Sequence, residues 1–178
     1  MKDLVLGSHL WFARLGSTID GTVVTESAVP IFATTKAEWL KLPSCEQWEP
    51  RPPSNFVSRR APGTGTGTYG VRTRIPLGGD DFTHAFNVQE FGKLDFELLL
   101  NAASVDPTTG AYVTNTKVEP VVGWLHRQAL HGETIIDEAD ELVQLTIEAF
   151  QFGENLNPHA LIATVLNNTL NAGKITNL

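Results

Sequence analysis

The chain of 178 residues predicts a mainly β fold, a β-sandwich or barrel carrying one or two short helices and a long loop. Two observations lead there. Several segments of strand length alternate apolar and polar residues, and clusters of Gly, Pro, Asp and Thr separate them. No repeat at solenoid or propeller periods offers another architecture. A mass of 19.4 kDa reads as one domain, residues 1–178, that buries roughly 70% of the surface its unfolded chain would expose. Such a core needs neither metal nor disulfide. Cys45 is the only cysteine, so no internal disulfide can form and a reducing site of folding is expected. Charged residues make up 19%, below the usual ~25%, which leaves uncharged surface suited to interfaces. No run approaches the ~18 apolar residues of a membrane span, and Met1-Lys2-Asp3 with the following stretch makes a poor signal peptide.

Leu4, Leu6, Leu10 and Phe12 alternate with Val5, Gly7, His9 and Trp11, which predicts a strand over 3–15. Residues 16–28 read as a loop, and Val29 to Phe32, with Pro30, as a short edge piece. Trp39 to Trp48 reads as a strand interrupted at Pro43. Residues 50–70, with four prolines and a Gly-Thr repeat from Gly63, read as a long structureless loop. A short strand over 71–77, a turn at Gly78-Gly79-Asp80-Asp81 and a strand through Phe82, Phe86 and Val88 follow. Lys93 and Glu97, four apart with Leu94 and Leu98, favour a short helix within 91–101, although the leucines also alternate. Asp106 to Gly110 is a turn by composition. Residues 118–131 predict a strand, His131-Gly132-Glu133 a turn, and Val143 to Ala149 the clearest strand of all. Asn157 as N-cap, Pro158 at a first helical position and Gly173 as a stop predict a helix over 158–170.

Net charge is −7, unevenly placed. Arg51, Arg59, Arg60, Arg72 and Arg74 have no acid among them. Glu133, Asp137, Glu138, Asp140, Glu141, Glu148 and Glu154 have no Lys or Arg among them. Two solvated surfaces would explain this. The sharper reading is self-complementarity, in which the basic segment of one copy meets the acidic segment of another and builds rings or open stacks. A nucleic-acid patch fits an acidic chain less well.

Chemistry-bearing motifs are sparse. The Gly63–Gly70 stretch lacks the Gly-Lys-Ser/Thr ending of a phosphate loop. His126 and His131 stand five apart, which suits neither a helical nor a strand metal pair. His9, His84 and His159 read as ordinary half-buried histidines, and Asp80-Asp81 near His84 as a turn before a strand. Cys45 reads as a small apolar residue, and no Gly-x-Ser-x-Gly elbow occurs. Trp11, Trp39, Trp48 and Trp124 could line a sugar face, but core or interface is the commoner role. No catalytic constellation, cofactor or metal is expected.

Several segments together resemble the tail tube, or major tail, proteins of long-tailed phages. They are Leu6-Gly7-Ser8-His9-Leu10-Trp11-Phe12-Ala13, Trp39 to Ser44 with Gln47-Trp48-Glu49-Pro50, and Phe86 to Phe91 followed by Leu94 to Leu100. Trp124 to His131, Val143 to Phe152, and Val165-Leu166-Asn167 with Asn171 to Ile175 complete the pattern. The resemblance implies a β-sandwich-like subunit with a flanking helix, and strand where the local signals at 158–170 favour helix. It implies self-association into stacked hexameric rings that form a hollow tube in the virion, made in the host cytoplasm, contacting other tail proteins and passing DNA without gripping it. The acidic run would line that bore or join rings, and the 50–70 loop would dock on the next ring. A capsid decoration or tail-completion protein, or a carbohydrate-binding sandwich with Trp39 or Trp48 exposed, are the alternatives.

Overall fold

The computed structural model describes residues 7–33, 38–42, 45–52, 56–60, 72–76, 81–88, 93–99, 102–106, 108–114, 117, 119–147 and 159–176. In chain order the elements are β1 (Gly7–Arg14), β2 (Thr18–Ile19), β3 (Thr22–Val23), β4 (Leu40–Lys41), β5 (Cys45–Arg51), β6 (Phe56–Arg60), β7 (Arg72–Pro76), β8 (Thr83–Val88), α1 (Lys93–Leu99), β9 (Ala102–Val105), β10 (Tyr112–Thr114), β11 (Val121–His131), β12 (Thr134–Ile147), β13 (His159–Val165) and β14 (Ala172–Ile175). The protein is mainly β, as the alternation predicts.

Six strands close on themselves. β1 pairs β11, β11 pairs β12, β12 pairs β13, β13 pairs β8, β8 pairs β5, and β5 returns to β1 through Ser8 and Cys45. Every pairing is antiparallel, so the ring is an antiparallel barrel with no edge inside it. β4 sits beside β1 just before Pro43, so β4 and β5 together form the interrupted strand expected over 39–48.

Side-chain parity explains the core. Leu10 and Phe12 of β1, Phe86 and Val88 of β8, Leu125 of β11, Val143 and Leu145 of β12, and Leu161 and Ala163 of β13 fill the barrel, joined by Leu94 of α1. The opposite parity builds a second layer, in which Trp11, Ala13, Trp124 and Leu142 on the barrel's outside are covered by Ile19, Val24 and Trp39. Indole N–H groups fasten that cover: Trp124 Nε1 donates to the Thr25 carbonyl at 2.8 Å and Trp39 Nε1 to the Ile31 carbonyl at 3.2 Å. β11 is consequently buried on both faces. Gly123 is required there, because a Cβ would meet the Phe12 ring at 2.7 Å and collide with the Ala13 carbonyl. Gly132, at φ 61°, makes the tight β11–β12 turn.

Three expectations are corrected. The helix over 158–170 is strand β13, and Gly173 lies inside β14 rather than ending a helix. Leu161 and Ala163 also satisfy a period of two, and pairing with both β12 and β8 outweighs the local helix signals. The structureless loop over 50–70 contains β6, which pairs β7 in a ladder outside the barrel. The apolar piece at 29–32 is not a strand; Val29 and Phe32 pack on the outer layer instead. The helix at 93–99 and its Lys93–Glu97 pair, 3.7 Å apart, follow the expected spacing. So does the turn at Asp106, whose carboxylate accepts from the Thr108 and Thr109 amides. Those amides hold its carboxyl below the usual carboxylate value. The Gly63–Gly70 stretch, Gly78 to Asp80, Glu148, Glu154, Asn157 and Pro158 lie outside the described residues.

Candidate interaction surface

Of the acidic residues that drew notice in the sequence, the five described ones fall on β12 and its preceding turn. Strand parity divides them. Asp137 and Glu141 turn into the barrel with Val143 and Leu145, whereas Glu138 and Asp140 face outward.

The inner pair meets a buried cationic and aromatic network. Arg127, 5% exposed, makes an ion pair with Asp137, and its guanidinium lies 4.0 Å from the centroid of the Trp48 ring. Trp48 Nε1 donates to His84 Nδ1 at 3.0 Å. An indole N–H can only donate, so Nδ1 is an acceptor and the ring proton resides on Nε2, which donates to Glu141 Oε2 at 2.8 Å. Burial alone would raise the Glu141 carboxyl. The hydrogen bond from His84 and the Arg127 charge outweigh that and hold it below its ordinary value. A His–Glu pair of this kind can orient a base, but the nitrogen that would take a nucleophile's proton is already occupied by Trp48. The chain of contacts ties β5, β8, β11 and β12 together across the barrel.

The outer pair flanks His126, which is 2% exposed. Its Nδ1 lies 2.8 Å from Asp140 Oδ1, and its Nε2 lies 3.2 Å from Glu138 Oε1. Gln128 Nε2 also donates to Glu138, at 2.9 Å. Phe32 stacks on the imidazole with centroids 3.5 Å apart. His126, Glu138, Asp140 and Phe32, with Gly173 and Lys174 of β14, line an open recess of about 370 Å³. Glu133 stands exposed in the β11–β12 turn.

The basic residues lie elsewhere. Arg51 pairs with Glu49 at 3.1 Å on the surface. Arg59, Arg60, Arg72 and Arg74 all fall on the β6–β7 ladder, where Arg60 is directly across from Arg72, Arg59 from Thr73 and Arg74 from Ser58. The side chains of these four lie outside the described residues. The sequence reading grouped five arginines by charge alone, without the ladder that carries four of them, and missed the partners of the acids. Those partners are His126, Arg127 and Gln128, on the strand before the turn, and His84. The turn at 131–133 contains the signal: folding 118–131 back across it brings residues 126–128 opposite 138–140.

Among the described residues, no group of three or more His, Cys, Asp and Glu could hold a metal, and His131 is exposed away from the His126 recess. Trp11, Trp39 and Trp124 are buried, and Trp48 packs on the core. No described helix is long and apolar enough to cross a membrane. The chain matches no protein-family model, and no curated protein matches it in sequence.

Proposed function

We propose that this protein is a virion structural subunit of the tail tube kind, which associates with copies of itself into stacked hexameric rings around a DNA conduit. The observation that carries the reading is β13. The resemblance to tail tube proteins calls for strand in that region where the capping and stop signals favour helix, and the chain is strand there. The barrel, the helix that follows β8 in the chain and the ladder that lies between β5 and β8 in sequence fit the wall, flank and docking segment that the resemblance implies. Among the described residues of the acidic run, only Glu133, Glu138 and Asp140 remain outward for a DNA-repelling bore or a contact between rings, since Asp137 and Glu141 serve the barrel. Other tail proteins would cap such a tube, and DNA would pass without specific binding.

The carbohydrate-binding alternative needs Trp39 or Trp48 at the surface. Trp39 is 4% exposed, and Trp48 is engaged with His84 and Arg127. Negative-stain microscopy of the purified protein tests the tube reading. Rings or tubes of uniform width are expected; a field of single small particles at high concentration contradicts it.

A further inference from the structure

His126 is left with one ring nitrogen that the protein does not satisfy. Its two nitrogens face different carboxylates: Nδ1 lies 2.8 Å from Asp140 Oδ1, and Nε2 lies 3.2 Å from Glu138 Oε1. A neutral imidazole carries one proton. The hydrogen bond to Asp140 places that proton on Nδ1. Nε2 is then an acceptor beside a carboxylate oxygen, and it is buried without a hydrogen-bond partner. A buried acceptor without a donor is costly. Either a second proton on the ring or a donor from outside the chain relieves it.

The recess of about 370 Å³ over this ring lies in the size range of small-molecule sites. Its polar wall is short of donors. Glu138 accepts from Gln128 through Oε1, and Asp140 is engaged through Oδ1, so each carboxylate keeps a second oxygen for a ligand. Lys174 is the one cationic side chain lining the recess, and two carboxylates against one ammonium leave a single net negative charge. The two acids stand at opposite edges of the imidazole, and no three ligands converge there on one metal ion. An alkylammonium ion asks less of the geometry. Its three N–H donors match three acceptors, directly or through a water, and its charge matches the recess. Its hydrocarbon chain finds apolar wall in Phe32 and Ala172.

We propose that this recess binds a small aliphatic amine in its ammonium form, with His126 Nε2, Glu138 and Asp140 as the three acceptors. The Glu138 side chain, 42% exposed, lies over Nε2 and swings aside to admit the ligand. Lys174, across the ladder from Glu138, is a cation of the chain's own at the same recess and opposes binding. The site does not depend on the self-assembly reading, since every residue in it belongs to one copy.

The test titrates n-butylammonium into the full chain carrying isotope-labelled histidine and follows the imidazole nitrogens by NMR. Tetramethylammonium, a cation of the same charge with no N–H donor, is the control at equal ionic strength. Butylammonium should bind saturably and move the His126 Nε2 resonance while Nδ1 keeps its proton; tetramethylammonium should leave Nε2 unmoved. Glu138→Gln, at a half-exposed side chain, should weaken butylammonium binding at least about threefold. Lys174→Ala should tighten it about twofold. Circular dichroism checks that both variants remain folded. An Nε2 resonance that ignores butylammonium, or answers both cations alike, overturns the proposal. So does a His126 ring that carries both protons before any amine is added, because Glu138 is then the partner of Nε2 and no acceptor is left. Folded Glu138→Gln that binds as tightly as wild type, or Lys174→Ala that binds no more tightly, also overturns it.

Discussion

The two faces of β12 carry the same kind of residue under different physical conditions. Asp137 and Glu141 point into the barrel and have dedicated partners in Arg127 and His84. Glu138 and Asp140, interleaved with them, open onto solvent around His126. An acid in the interior must be paired, because its desolvation is otherwise uncompensated. An acid at the rim keeps its hydration and remains available to a partner. One acidic run thus holds the barrel together on one face and presents charge on the other.

The comparison can be broken at Arg127. Arg127→Ala leaves Asp137 as a half-buried charge without its cation and strips the Trp48 ring of its cover. Loss of about 3–5 kcal/mol in chemical denaturation is expected. Next comes Glu141→Gln, which costs about 1–3 kcal/mol by removing the charge-assisted hydrogen bond from His84. It also changes the acid response. Because the Glu141 carboxyl is held below its ordinary value of 4.5, its stabilisation is fully present above that pH and disappears as the pH falls through the lowered folded value. Denaturation midpoints from pH 7 downward should therefore fall less steeply in Glu141→Gln than in wild type. On the outer face Asp140→Asn, which weakens the contact with the buried His126, should cost about 1 kcal/mol, and the smallest effect belongs to the more exposed Glu138, where Glu138→Gln should shift stability by about 0.5 kcal/mol or less. If the outer substitutions cost as much as the inner ones, the division of labour along β12 is wrong.

Much of the fold is legible in the sequence because alternation reports burial on one face. β1, β8, the C-terminal part of β12 from Val143 and the turn at Gly132 follow from it directly, whereas residues 134–142 of β12 read only as an acidic run, and α1 follows from the Lys93–Glu97 spacing. β13 does not, since Leu161, Ile162, Val165 and Leu166 satisfy a helical stripe as well, and only two long-range pairings settle the choice. β6 is hidden by the prolines and glycines around it and becomes visible through its partner β7. The site is less legible than the fold. Charge counted along the chain joins Asp137, Glu138, Asp140 and Glu141 into one patch, while a strand sorts them by parity. Their partners lie across a hairpin or, for His84, 57 residues away.

Sedimentation velocity over a wide range of protein concentrations bears most directly on the proposed self-association. Boundaries at six times the 19.4 kDa subunit mass, giving way to much larger species as concentration rises, are the expected result. A single boundary at the subunit mass throughout would contradict it.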